Sequence, residues 1–315
     1  GVFNHTGTAF FAFQDLIKRG ASSAYASWYR VHSWPIDATS PKPNYECWWG
    51  FGPLPRLMVD VNPAVRDYLL GVVRRWTVVA GVDGWRLDVP NEVDHPFWKA
   101  FRTAVRAANP HAYIVGEIWE DGSPWLQGDE FDGVMNYRFR RAMLEFVAKG
   151  TVDATAAARQ LDRVRMDYPP GTTLALYNLL GSHDTERFLT LANRDTWRLH
   201  AATTALLTTP GVPSIYYGDE LAMEGGKDPD NRRGMAWGRA RESNATLAHH
   251  RRVIALRHSL GLGRFGEATH RALSPDLLAF TRPGPGGQLL AVLINRGFAA
   301  KLPPSILDPA YSWRM

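Results

Sequence analysis

The chain has 315 residues, 45% hydrophobic and 21% charged, which is enough for a sizeable core in one large domain or one large and one small. Its formal charge of +5 is scattered over single arginines and Arg-Arg pairs with no Lys/Arg block, which argues against nucleic acid as a partner. The single cysteine, Cys47, excludes an internal disulfide framework, and no apolar run reaches the roughly 18 residues that a membrane span needs.

In chain order, Gly1-Val2-Phe3 reads as the end of a strand closed by Asn4 and His5. There is no initiating Met and no signal peptide, so the sequence reads as an internal piece of a longer protein and says nothing about export. Residues 6–61 are rich in Trp, Tyr, Pro and Ser and have a helical period only over about 10–19. An excursion of that length is expected to be an inserted subdomain, because structureless loops so long are rare. Asn62 as a cap and Pro63 at the first helical position predict a helix over 63–80, with Val65, Leu69, Val72, Val73 and Trp76 on its inner face. A strand within 81–89 then closes on Asp88, a helix covers 95–108, and a strand over 112–117 closes on Glu117. Helices over 137–148 and 152–166 precede a strand over 173–177, a helix over 185–208, a strand over 212–217 and a helix over 246–260. Residues 219–245 read as a polar, Gly-rich loop. From about 264 the pattern changes to short strands, with 277–281 and 289–294 flanking the turn-rich 283–287. Strands alternating with helices predict a parallel sheet, and this many units predict an α/β fold of the (β/α)8 TIM-barrel kind followed by an all-β domain.

Barrel active sites lie where strands end, so the polar residues closing each apolar run are the candidates. Arg86 and Asp88 are two apart on one strand and share a side, where the arginine would keep the carboxylate ionised and oriented. Glu117 closes the next strand, with Trp119 two residues on; His183 and Asp184 follow a later one, and Asn4 and His5 the first. Asp88 alone could be a helix cap and Glu117 alone a surface residue, but their joint placement at successive strand ends points to an enzyme. Paired carboxylates suit glycosidic chemistry: one attacks the anomeric carbon, while the other protonates the leaving oxygen and then deprotonates water. Retention needs the pair about 5–5.5 Å apart, and neighbouring strands lie about 4.8 Å apart.

Four segments carry a family resemblance, in order and spacing: Val2-Phe3-Asn4-His5, Gly84-Trp85-Arg86-Leu87-Asp88-Val89, Gly116-Glu117-Ile118-Trp119 and Ser182-His183-Asp184. The chain resembles the α-amylase family, glycoside hydrolase family 13, over its whole length. Asn44-Tyr45-Glu46-Cys47-Trp48-Trp49-Gly50-Phe51, Val89-Pro90-Asn91-Glu92-Val93, 180–188 and 225–233 bring it closest to the neopullulanase, cyclomaltodextrinase and maltogenic amylase branch. The resemblance implies a retaining hydrolase of α-1,4 bonds, with α-1,6 bonds left open. Its substrates would be cyclomaltodextrins, pullulan or maltooligosaccharides, cleaved through a covalent glycosyl-enzyme with transglycosylation alongside. The alternatives are an oligo-1,6-glucosidase, a trehalose-forming isomerase or a non-catalytic relative. Asn91-Glu92 and Trp48-Trp49 argue against the first two, and the three carboxylates against the third.

Carried over residue by residue, the resemblance makes Asp88 the nucleophile, Glu117 the acid/base and Asp184 the carboxylate that grips the distorted sugar. Arg86 would orient Asp88, and His5 and His183 would bind the glucose at the cleavage point. Trp119 would pack on the leaving-group sugar, Asn91 and Glu92 would line the acceptor side, and Asp228 and Arg232 would hold the non-reducing-side glucose unless they form only a loop salt bridge. Trp48 and Trp49 are assigned to the core of the excursion. The sequence departs from the branch at Leu54-Pro55-Arg56-Leu57-Met58, where Met-Pro-Lys-Leu-Asn is usual, and at Gly234, where Pro is expected. The resemblance divides the chain into 1–5 as the end of the third barrel strand, 6–61 as the inserted domain, 62–262 as the remaining barrel and 263–315 as a truncated C-terminal β domain. It implies that the first strands and an N-terminal dimerising domain lie upstream, so that the parent is a homodimer and this piece alone has exposed sheet edges and little activity. It implies α-glucan partners, no nucleic acid or membrane, no required cofactor and a cytoplasmic bacterial setting. Asn4 corresponds to a calcium ligand outside this branch, and no metal is assigned to it here.

Overall fold

The computed structural model describes residues 1–241, 244–264 and 266–297. It divides into two compact units, Gly1–Ile118 with Gly122–Val134, and Trp119–Asp121 with Met135–Met315.

The first unit contains α1 (Phe11–Arg19), α2 (Pro63–Val79), β1 (Gly84–Leu87), α3 (His95–Ala108), β2 (Tyr113–Gly116) and the first two residues of β3 (Gly133–Asn136). β1 and β2 run parallel, Gly84 opposite Tyr113 and Leu87 opposite Gly116, and β2 pairs with β3 through Val115–Gly133 and Gly116–Val134. Beside β1, the Gly1 amine donates to Arg86 O at 2.7 Å and Asp88 N donates to Gly1 O at 2.9 Å, the slanted bonding of a parallel neighbour. α2 starts where Asn62 accepts from the Ala64 and Val65 amides with Pro63 in the first turn. Its inner stripe is Val65, Leu69, Val73 and Thr77, while Trp76, expected inside, is 54% exposed. Thr77 takes the inward place because its hydroxyl bonds back to Val73 O at 2.8 Å and accepts from the Trp85 indole at 3.1 Å. α3 is capped by Asp94 on the Phe97 amide and buries Phe97, Trp98 and Phe101. These rings surround Phe3 at centroid distances of 5.3–5.9 Å in tilted and edge-to-face contacts. Residues 6–61 are held by isolated antiparallel bridges, Tyr29–Leu57, Val31–Tyr45 and Cys47–Pro55, over a core that includes Phe13, Leu16, Tyr29, Tyr45 and Leu57.

The second unit continues β3 into α4 (Tyr137–Met143), which runs on as a wide turn over Leu144–Ala148. It then holds α5 (Ala154–Asp167), β4 (Tyr177–Leu179), α6 (Phe188–Leu191), α7 (Thr196–Thr208), β5 (Val212–Ser214), α8 (Trp237–Arg241) and α9 (Ala245–Ser259). β3, β4 and β5 pair in parallel, with Met135 opposite Tyr177 and Tyr177 opposite Val212. An antiparallel sheet follows, β6 (Thr269–Ser274), β7 (Leu277–Pro283) and β8 (Leu289–Asn295), paired in that order. α4, α5 and α7 pack with β7 and β8 in one apolar core that includes Phe139, Phe146, Leu161, Leu206, Phe280 and Ile294.

Four expectations are corrected, the first being that 219–245, expected as a loop, carries the short helix α8 at Trp237–Arg241. β3 is fully buried and too short for a visible alternation, so no strand was expected there. The expected strand 173–177 begins as a helical turn over Thr172–Ala175, because Gly171 adopts φ +84° and Leu174 N bonds back to Gly171 O at 3.1 Å; the strand starts at Tyr177. The single helix expected over 185–208 is two, because Asn193 and Arg194 take positive φ and Asp195 caps α7 on the Trp197 and Arg198 amides. The part of the expected C-terminal domain beyond residue 297 lies outside the described residues, and no described helix is long and apolar enough to cross a membrane.

Candidate active site

In the first unit, β1 and β2 carry Asp88 and Glu117 one residue past the aligned pair Leu87–Gly116, with Glu117 N bonded to Leu87 O at 2.9 Å. The carboxylates therefore leave neighbouring strand ends at the same level. Arg86 ties them together: Nη1 bonds Asp88 Oδ1, and Nη2 lies 2.9 Å from Glu117 Oε2. The Glu117 side chain is 7% exposed against 27% for Asp88, so the same arginine serves one shielded and one open carboxylate. Val89 turns the chain at φ +37°, an uncommon conformation for a β-branched residue, and aims its amide at Glu117 Oε2, 3.3 Å away. Gly116 is obligatory in this packing, since a Cβ there would come within 2.6 Å of the Phe131 ring.

Four more expected residues stand beside this pair. Asn4 is buried, its Oδ1 2.7 Å from His5 Nδ1 and its Nδ2 donating to Glu92 Oε2 at 2.8 Å. His5 stacks on Trp48 at 5.2 Å; burial lowers its pKa, with the Asp88 and Glu92 charges pulling the other way. Asn91 is exposed in the Pro90–Glu92 turn. Trp49 departs from the expectation that it fills the core: it is 78% exposed at φ +49° and donates its indole N–H to Glu92 Oε1 at 2.8 Å. Both Asn4 amide atoms are thus engaged by side chains, and among the described residues no three His, Cys, Asp or Glu side chains gather as a metal site.

In the second unit, the turn after β4 presents His183 and Asp184. Ser182 fixes it, accepting from Asp184 N at 3.2 Å and contacting the Tyr137 hydroxyl at 3.1 Å. Asp184 touches His183 Nε2 at 3.1 Å and Arg232 Nη2 at 3.3 Å, and Arg232 Nε also pairs with Asp228 at 2.8 Å and donates to His183 O at 2.9 Å. Asp228 and Arg232 do form a salt bridge, and the same guanidinium reaches Asp184. Trp119 lies flat on Tyr137, 4.0 Å between centroids and 8° between planes, and remains 42% exposed.

Beneath this cluster lies a brace that sequence reasoning missed. Arg187 is fully buried, pairs with Asp219 at 3.0 Å, donates to Tyr217 O at 2.8 Å and Asn231 O at 3.1 Å, and sits against the Tyr216 and Tyr217 rings. Asn231 in turn donates to His183 O at 2.6 Å and Thr185 O at 3.0 Å. Burial pushes the Asp219 carboxyl up to about 7 against the pull of Arg187. In the sequence Arg187 lies three residues past Asp184, and Asp219 follows Tyr216-Tyr217-Gly218 32 residues further on.

Parallel βα units with ionisable side chains collected at strand ends define a catalytic-domain architecture of the α/β-barrel class. Residues 1–255 match the model of the α-amylase catalytic domain, and the chain belongs to the α-amylase family. It is 43% identical over 298 residues to a cyclomaltodextrinase of Thermoanaerobacter pseudethanolicus, covering 93% of this chain and 51% of that protein. It is 44% identical over 299 residues to neopullulanase 2 of Thermoactinomyces vulgaris, covering 94% of this chain and 51% of the relative. Among solved structures, the cyclic α-maltosyl-(1→6)-maltose hydrolase from Arthrobacter globiformis, in complex with cyclic α-maltosyl-(1→6)-maltose, superposes with a TM-score of 0.89 at 39% identity, over 94% of this chain and 66% of that one. The first two of these relatives carry names of the branch whose motifs the sequence resembles. The chain spans about half the length of the curated relatives it matches.

Proposed function

We propose that the protein carrying this chain is a retaining glycoside hydrolase that cleaves α-glucosidic bonds of cyclic and short linear malto-oligosaccharides. The observation that carries the reading is Arg86, one guanidinium joined to both Asp88 and Glu117 at adjacent strand ends. That arrangement suits the separation of about 5–5.5 Å used in double displacement. Asp88, the more open carboxylate, attacks the anomeric carbon as the bond to the leaving oxygen breaks, and Glu117 in its acid form gives that oxygen its proton. Water then replaces the leaving group, Glu117 takes a proton from it, and the new oxygen displaces Asp88 with net retention. Where a sugar hydroxyl takes the place of water, the same step is transglycosylation. His5, whose pKa partial burial lowers, hydrogen-bonds the reacting glucose. By the family resemblance, Asp184 and His183 bind sugar hydroxyls, and Asp228 and Arg232 hold a glucose on the non-reducing side.

The names of the relatives favour cyclic glucans as the substrate class. Rates on β-cyclodextrin, cyclic α-maltosyl-(1→6)-maltose, soluble starch and isomaltose, measured with the whole protein, test this. The cyclic substrates are expected to be cleaved fastest, and starch as the far better substrate would sink the assignment.

A further inference from the structure

We propose that Trp98 is a positioning residue for proton transfer: its indole N–H fixes the turn after β1, and that turn orients Glu117. The inference rests on the acid/base role given to Glu117 above and extends it to a side chain in the core. Three observations converge. First, Trp98 is completely buried on α3, edge-to-face with Phe3, Phe97, Phe101 and Phe131 at 5.1–5.9 Å. A phenylalanine would fill such a place with no polar atom, whereas an indole brings an N–H that burial penalises unless it is bonded. That N–H donates to Pro90 O at 2.9 Å.

Second, Pro90 is itself buried and opens the turn Pro90–Glu92, seated directly on β2: a Cβ at Gly116 would stand 3.3 Å from Pro90 Cγ. The turn is thus held by Gly116 on the strand side and by the indole on the helix side. Third, Val89 enters the turn at φ +37°, which a β-branched residue keeps only where its surroundings enforce it. In that conformation its amide donates to Glu117 Oε2 at 3.3 Å, the oxygen that also lies 2.9 Å from Arg86 Nη2. A donor and a guanidinium on one oxygen favour negative charge there, so the proton of the acid form sits on Oε1. The connection Trp98–Pro90–Val89–Glu117 therefore sets which carboxyl oxygen carries the proton, and because the last bond is already long, a small shift of the turn loses it.

The experiment compares kcat/KM of the whole protein on maltotetraose, whose leaving sugar needs a proton, and on α-maltosyl fluoride, whose leaving group does not. Both values report formation of the glycosyl-enzyme. Trp98→Phe keeps a buried ring and loses the N–H. It is expected to lower kcat/KM about tenfold on maltotetraose and less than about twofold on the fluoride. The ratio of the two does not depend on the fraction of enzyme that is folded. Benzothienylalanine at position 98, which keeps the bicyclic shape with sulfur in place of the N–H, should give the same ratio, and it decides the matter if Trp98→Phe folds poorly. Trp98→Phe combined with Glu117→Ala should be no slower on maltotetraose than Glu117→Ala alone, because Trp98 acts through Glu117. Equal losses on both substrates, or additive losses in the pair, would overturn the proposal. If Glu117→Ala itself loses both substrates equally, the acid/base reading falls and the proposal with it. If Glu117→Ala discriminates between the substrates and the variants at position 98 do not, the proposal falls alone.

Discussion

Replacing Arg187 by methionine tests whether the cluster of His183, Asp184 and Arg232 is held by a buried ionic brace. The substitution keeps an unbranched chain but removes donors to Asp219, Tyr217 O and Asn231 O and the cation over the Tyr216 and Tyr217 rings. Three hydrogen bonds at about 1 kcal/mol each, with cation–π contacts worth about 0.5–2 kcal/mol, give roughly 3–5 kcal/mol. The same range, about 3–5 kcal/mol, applies to breaking a buried ion pair and leaving one charge behind. At about 2–4 °C per kcal/mol, the midpoint of thermal unfolding should fall by roughly 6–20 °C. Asp219 already titrates near 7, and without Arg187 it moves further up and becomes neutral. The carboxyl is raised, so the folded state holds its proton more tightly than the unfolded one, and the deficit of the variant should shrink as pH falls below about 7. Circular dichroism melts at pH 7.5 and 5.5 measure both effects. Adding Asp219→Leu to Arg187→Met removes the stranded carboxyl and should restore part of the loss. A single variant melting within 2 °C of wild type, or a double variant no better than the single, would refute the reasoning.

Two further outcomes follow from the geometry. His200, His249 and His250 lie between α7 and α9, with His200 and His249 stacked at 4.5 Å, and burial lowers the pKa of all three, helped by their mutual charges and, for His200 and His249, by Arg252. A histidine lowered in the folded state resists protonation there, so its contribution is intact above the unfolded value of about 6.5 and is lost as pH falls below it. The melting midpoint should therefore drop more between pH 6.5 and 5 than between pH 8 and 6.5, and His249→Gln should flatten that drop; an equally steep curve in the variant would contradict the assignment. Arg86→Lys replaces a fork by a point charge that cannot serve Asp88 and Glu117 together, so kcat should fall by about 10²-fold with little change in melting midpoint. Steady-state rates with either cyclic or linear substrate check this.

Local signals were legible and distant ones were not. Asn62-Pro63 and Asp94-His95-Pro96 announce the starts of α2 and α3, because a cap and a first-turn proline act within a few residues. The Arg86–Asp88 contact follows from strand alternation alone. By contrast, Arg187 finds Asp219 and Asn231 across 32 and 44 residues, and no periodicity encodes such a meeting. Trp49 was misplaced for a related reason: its composition suits a core, and its exposure depends on Glu92, 43 residues away. The break between α6 and α7 depends on Asn193 and Arg194 entering the left-handed region, which an otherwise helical segment does not advertise.

The central claim is that Asp88 forms the covalent intermediate and Glu117 moves the proton. In the whole protein, Glu117→Ala given α-maltosyl fluoride, whose leaving group needs no acid, should form the glycosyl-enzyme and stall for want of a base. Intact mass followed by peptide mapping reads the outcome directly. One maltosyl group is expected on the peptide containing Asp88, and none when Asp88 is also changed to Asn. A maltosyl group on Asp184, or turnover of the fluoride with inversion and no adduct, would contradict it.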